Sequence, residues 1–205
     1  MENGVKKLGI MSSGNSDRFS SVIDYFKNRN DVKIICISDN LKSDIFNIQK
    51  SENVDTKYLS SDGAQNYFAG SNFDLIVIND YKSKLDRKIY EFGRFINVHP
   101  SLLPAFQGDN AVYRAFESGV KVSGITIHSI SNKPENDKII TQYPVLITNL
   151  MHFDEYEASL RNLEKVLIPI VADKLLDNKL FDFQDLFASN SGGCGQGCSG
   201  CGGCH

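Results

Sequence analysis

Asn97 and His99 stand two residues apart in FINVHPSLLPAFQG (95–108), where a short apolar run passes directly into an amide, an imidazole and two prolines. Alternate residues of a strand share a face, so the two side chains point the same way. Proline does not pair within a sheet, so the strand is expected to end here and to present both groups where it meets a loop. Neither group suits the buried middle of a strand unless it is hydrogen-bonded. Together they suit acyl transfer. When an amine attacks a carbonyl carbon, the developing oxyanion needs fixed donors, which Asn97 and a protonated His99 can supply, and His99 can also move a proton. Taken alone, the pair is as consistent with a core histidine and an asparagine that caps the following turn.

His128 lies in a second run, VSGITIHSIS (122–131), and Glu135 and Asp137 lie in the polar turn after it. A carboxylate brought beside His99 would raise the imidazole's pKa and fix its orientation, as an acid–base partner must. On spacing alone the turn reads more simply as a solvated loop with ordinary acidic residues. A third candidate is IMSSGNSDRFSSVIDYF, a first strand, a turn and a helix. The exposed N–H groups at such a helix start can hold a phosphate, with Ser13, Gly14, Asn15 and Ser16 forming the turn. Many first turns of this kind contain Gly and Ser merely to turn and cap.

The chain closes on CGQGCSGCGGCH, which spaces Cys194, Cys198, Cys201, Cys204 and His205 for a tetrahedral soft-metal site. Zinc or an iron–sulfur cluster is the metal reading, and a tail with redox-active thiols is the other. Disulfides are not expected in a reducing cytoplasm. Cys36, alone inside VKIICIS, reads as a buried small hydrophobe.

These residues need a scaffold, and the apolar pattern supplies one. Runs at 5–11, 32–38, 73–79 and 94–99 are continuously apolar, as strands buried on both faces of a parallel sheet should be. Between them lie crossover helices, the clearest at 17–29, where Phe19, Val22, Ile23 and Phe26 recur at helical spacing. Two more strands, 122–131 and 138–147, are joined by the polar turn. Leu160, Leu163, Val166, Leu167, Ile170, Val171 and Leu175 mark a long closing helix. The pattern predicts an α/β fold with a Rossmann-like, doubly wound, mostly parallel sheet over residues 1–187, followed by a flexible Gly/Cys-rich tail, 188–205.

A formal charge of −3 with scattered lysines gives no basic block for nucleic acid. No apolar run reaches membrane-spanning length, and the N-terminal residues lack a secretory signal, so a cytoplasmic protein with no membrane partner is expected.

The stretch INVHPSLLPAFQGDNAVYRAFESGVKVSGITIHSI (96–130) resembles the core of the glycinamide ribonucleotide formyltransferases. These folate-dependent enzymes of purine synthesis pass a formyl group from 10-formyltetrahydrofolate to the amine of a phosphoribosyl substrate. The Asn-x-His-Pro-Ser-Leu-Leu-Pro string marks the wider formyltransferase family, and GVKVSGITIH tilts the resemblance to the purine branch. It implies that Asn97 and His99 are two of three catalytic groups, that His128 belongs to the same site, and that Ser13–Ser16 hold the substrate phosphate. Small-molecule substrates, the folate and the phosphoribosyl amine, are the implied partners.

At the third catalytic position the family has Asp where this chain has Glu135, in a turn reading Glu-Asn-Asp-Lys instead of Asp-Thr-Gly-Pro. Asp137 is the alternative carboxylate. The loop that packs on the pterin is here NDYKSKLD, with Asp80, Lys82 and Lys84, and Ser16 replaces a glycine. Ser60 to Ala64 spans a shorter segment than in the family. These departures leave a second reading, a repurposed member that acts on another amine or works through its tail by holding a metal or a partner protein.

Overall fold

In the computed structural model, which describes residues 4–48, 52–182 and 184, a single seven-stranded sheet organises the chain. Its strands are β1 (Lys6–Met11), β2 (Val32–Ser38), β3 (Val54–Tyr58), β4 (Leu75–Asn79), β5 (Phe95–His99), β6 (Val122–Ile130) and β7 (Ile139–Leu146), in the spatial order β3-β2-β1-β4-β5-β6-β7. The first five are parallel, and β6 and β7 join as an antiparallel hairpin. This is the expected doubly wound, mostly parallel α/β sheet.

The period-two alternation of the buried strands divides the interior into two cores. Leu8, Ile10, Ile34, Cys36, Leu75, Val77, Ile96 and Val98 face one side, under helices α1 (Asp17–Phe26) and α4 (Phe153–Leu176). Met11, Ile35, Ile37, Ile76, Ile78 and Phe95 face the other, where α2 (Ser61–Ala69) lays down Ala64 and Phe68. A short helix, α3 (Ala111–Glu117), docks by Ala111 and Ala115, one turn apart.

Helix α1 stops at Phe26, three residues before the predicted end. Strand β3 escapes the apolar pattern because it is an edge strand in which only Val54 is buried.

Gly124 sets how closely the hairpin packs. A Cβ there would sit 2.0 Å from the Tyr143 carbonyl oxygen and 2.9 Å from its carbon, so only glycine lets β6 lie against β7 at this register.

The chain runs from β1 to β2 on one side, while β4 takes the other, and the strand order reverses between β1 and β4. In open α/β sheets the crevice at the carboxyl ends of such a pair is the usual ligand site. Here the Ser13 N–H donates to the Asp80 carbonyl at 2.9 Å, stitching the loops after β1 and β4 together. Among the described residues no helix is long and apolar enough to cross a membrane. The tail residues Cys194, Cys198, Cys201, Cys204 and His205 lie outside the described residues.

Candidate active site

Strand β5 ends in the half-buried pair Asn97 and His99, and β6 sets Asn97 opposite His128 in register. The His128 Nδ1 lies 3.2 Å from the Ser129 carbonyl, and its Nε2 lies 3.1 Å from Asn97 Nδ2. A carbonyl only accepts, so the His128 proton is assigned to Nδ1 and Nε2 accepts from the Asn97 amide. That amide keeps a second N–H, with no partner among the described residues. The same logic places the His99 proton on Nε2, which donates to the Phe106 carbonyl at 3.0 Å. Its Nδ1 lone pair is left without a partner among the described residues.

Both rings titrate below the ordinary histidine value. Burial lowers the His99 pKa, the Phe106 carbonyl opposes this, and the Arg114 charge adds to the lowering. Burial also lowers that of His128, against the Ser129 carbonyl and the charge of Asp137, with His99 adding to the lowering. The resting site therefore holds neutral imidazoles near pH 7 instead of the protonated His99 expected from sequence. With its N–H already given to Phe106, what His99 has to offer is a basic nitrogen.

The loop after β5 is held by polar residues that sequence reasoning passed over. Buried Ser101 donates to the Ala105 carbonyl at 2.6 Å. Thr126 accepts from the Leu103 N–H at 3.0 Å and donates to the Ser101 carbonyl at 2.6 Å. Gln142 reaches both the Leu103 carbonyl, at 2.8 Å, and Thr126, at 3.1 Å. Their signal was a hydroxyl and an amide set in otherwise apolar strands.

In the hairpin turn, Asp137 accepts from the Ser131 N–H at 2.7 Å and pairs with Arg87 at 3.0 Å. Glu135 sits exposed in the one-turn helix Pro134–Asn136 and has no hydrogen bond or ion pair among the described residues. The structure thus gathers Asn97, His99 and His128 and sets Asp137 within electrostatic reach of His128. It gives neither carboxylate a hydrogen bond to His99.

The loop before α1 is already engaged by carboxylates. Ser16 gives Asp44 its N–H at 2.6 Å and its hydroxyl at 2.8 Å, and the Ser13 hydroxyl donates to Asp39 at 2.5 Å. The bonds from Ser16 hold the Asp44 pKa below the usual carboxylate range. Burial would raise that of Asp39, but the hydrogen bonds from Ser13 and Ser83 outweigh it. Both are ionised at neutral pH. The backbone N–H groups of Asn15 and Asp17 have no acceptor among the described residues and are the donors left for an anion.

Beside this loop, Arg18 pairs with Glu164 of α4 and lies 3.9 Å from Asp80. The Asn79 amide donates to the same Glu164 at 3.4 Å. Burial raises the Glu164 pKa against the Arg18 charge. Arg18, Asn79 and Glu164 line a small cleft with Asp17, Ser21 and Lys165. Sequence reading missed Glu164, whose signal was a carboxylate on the apolar face of the closing helix, between Leu160 and Leu167. Lys82 and Lys84 are exposed on the loop after β4, and the Lys82 N–H donates to the Ser13 hydroxyl at 2.7 Å.

Residues 6–172 match the protein family described as formyl transferase. Among known proteins, the chain is similar to the phosphoribosylglycinamide formyltransferase of Haemophilus influenzae, 27% identical over 191 residues that cover 86% of this chain and 90% of the relative. The enzyme of that name from Bacillus subtilis is 27% identical over 186 residues, 84% of this chain and 95% of the relative. Among solved structures, phosphoribosylglycinamide formyltransferase from Bacillus halodurans superposes with a TM-score of 0.72 at 26% identity, covering 86% of this chain and all of that one.

Proposed function

Because the chain belongs to the formyl transferase family, we propose that it moves the formyl group of 10-formyltetrahydrofolate to the primary amine of glycinamide ribonucleotide, a step of purine synthesis. One observation carries the chemistry: at the end of β5 a free amide N–H on Asn97 stands two residues from a neutral, basic Nδ1 on His99. In the reaction the amine nitrogen bonds to the formyl carbon, and the carbonyl oxygen becomes an oxyanion that accepts the free Asn97 N–H. His99 Nδ1 takes the proton released by the attacking nitrogen. As the intermediate collapses, the bond from the formyl carbon to N10 of the folate breaks. The proton passes from His99 to N10, yielding tetrahydrofolate and the formylated amine.

The supporting roles follow from the contacts. His128 holds the Asn97 amide so that one N–H stays available. Asp137 supplies negative charge to His128, and Glu135, exposed at the turn, is free to relay a proton through water. The substrate phosphate is assigned to the Ser13, Gly14, Asn15 and Ser16 turn, through the open N–H groups of Asn15 and Asp17.

The enzyme is assigned to the cytoplasm. Its tail, Cys194, Cys198, Cys201, Cys204 and His205, is read as a soft-metal site, to be tested by comparing the metal content of the full chain with that of a chain ending at Ser189. The functional reading is tested by incubating the protein with 10-formyltetrahydrofolate and glycinamide ribonucleotide and following tetrahydrofolate release. Turnover is expected, and a folded protein with none would overturn the assignment.

A further inference from the structure

Three of the five residues 106–110, beside His99, are left-handed: Phe106 at φ 53°, Gly108 at φ 80° and Asn110 at φ 55°. Asn adopts this conformation more readily than most residues, but for a bulky Phe it is unfavourable and persists only where the surroundings enforce it. What enforces it here comes from α3. The Arg114 Nε donates to the Asp109 carbonyl at 3.1 Å, and a second nitrogen of the same guanidinium donates to the Gln107 carbonyl. One planar fork thus grips the loop on both sides of Gly108. One residue before Gln107, the Phe106 carbonyl accepts the Nε2–H of His99.

We infer that Arg114 is a positioning residue for His99: by pinning the Gln107 and Asp109 carbonyls it fixes the Phe106 carbonyl that sets the imidazole's orientation and tautomer. The inference rests on the reading of His99 as the proton acceptor. Without the fork, the loop loses the contacts that hold its left-handed residues, and Phe106 no longer presents one fixed acceptor. The imidazole is then free to turn or to carry its proton on Nδ1, where it has no lone pair for the amine. The guanidinium has a second effect on the same ring. The charged and titratable groups acting around it are Arg114 from α3 and, on β6, His128, itself biased by Asp137. The Arg114 charge opposes a proton on His99 and so widens the pH range over which the base is ready.

The two effects separate on substitution. Lysine keeps the charge but cannot fork onto two carbonyls, whereas glutamine loses both charge and fork. In Arg114→Gln we expect kcat to fall by about tenfold to a hundredfold, the scale for a misplaced catalytic group. The acid limb of kcat/KM should lie at higher pH in this variant than in Arg114→Lys, because both lose the fork and only glutamine loses the charge that opposes a proton on His99. In Arg114→Lys, where the charge stays but the Phe106 carbonyl is released, the limb should move to lower pH while kcat still falls. Ring ¹⁵N and ¹H NMR of His99 in the free protein gives a readout independent of turnover. The wild type should show the Nε2–H tautomer, and both variants a mixture, with the titration midpoint higher in Arg114→Gln than in Arg114→Lys.

Wild-type kcat in Arg114→Lys, an unchanged tautomer in Arg114→Gln, or a midpoint no higher in Arg114→Gln than in Arg114→Lys would overturn the inference. A wild-type protein without formyl transfer would overturn the proposed function instead, and the NMR arm would still decide whether Arg114 orients the ring.

Discussion

Replacing Asn97 with alanine removes the amide that donates to His128 at 3.1 Å and keeps a second N–H free. Two magnitudes follow, and they differ enough to be told apart. In the ground state the loss is one hydrogen bond at a half-buried position, about 1 kcal/mol net. For a domain of this size that is a fall in Tm of roughly 2–4 °C. A typical domain has about 5–15 kcal/mol in hand, so the variant stays folded under assay conditions. In the transition state the loss is a donor aimed at a developing oxyanion, for which the expected reduction in kcat is about 10²–10³, or about 2.7–4 kcal/mol. The assay is initial-rate kinetics with both substrates at saturating concentration, paired with a thermal melt of the same preparation. A kcat within about threefold of wild type would refute the oxyanion role. A loss confined to KM would show that Asn97 binds substrate and transition state equally, which is not catalysis of the chemical step.

Other substitutions test the remaining parts of the argument. Asp44→Asn leaves an oxygen to accept the Ser16 N–H but removes the negative charge from the loop proposed to hold the substrate phosphate. It should lower KM for the phosphorylated amine a few-fold with kcat unchanged, and an unchanged or higher KM would mean the phosphate binds elsewhere. Gly124→Ala forces a Cβ onto the Tyr143 carbonyl, 2.0 Å away in backbone that cannot yield as a side chain would. The expected destabilisation is about 3 kcal/mol, the upper end for overpacking a filled site, or a Tm lower by roughly 6–12 °C. An unshifted melt would mean that β6 and β7 separate without loss.

Much of the scaffold was legible because burial on both faces leaves a plain mark. β1, β2, β4 and β5 read as continuous apolar runs, and their odd and even residues divide between the two cores. β3 and α3 were silent for the same reason in reverse. One is an edge strand with a single buried residue, and the other is two turns long with only two alanines buried, so neither carries an apolar pattern long enough to see. The Arg18–Glu164 pair was invisible because its members lie far apart in the chain and are joined only by the packing of α1 on α4.

Sequence alone determined the residue types at the candidate site and the face they share, since Asn97 and His99 are fixed by strand geometry whatever the rest of the chain does. It also determined the fold class, because short apolar runs buried on both sides are the mark of a parallel sheet covered by helices on both faces. Tertiary structure decided which nitrogen of each imidazole carries the proton, through carbonyls at Phe106 and Ser129. It decided that both rings rest neutral, through the burial of each and, at His99, the approach of Arg114. It left Glu135 exposed while Asp137 came within reach of His128, and it set Asp39 and Asp44 against the loop before α1. Protonation and charge depend on what lies within a few ångströms in space, and separation along the chain does not reveal those neighbours.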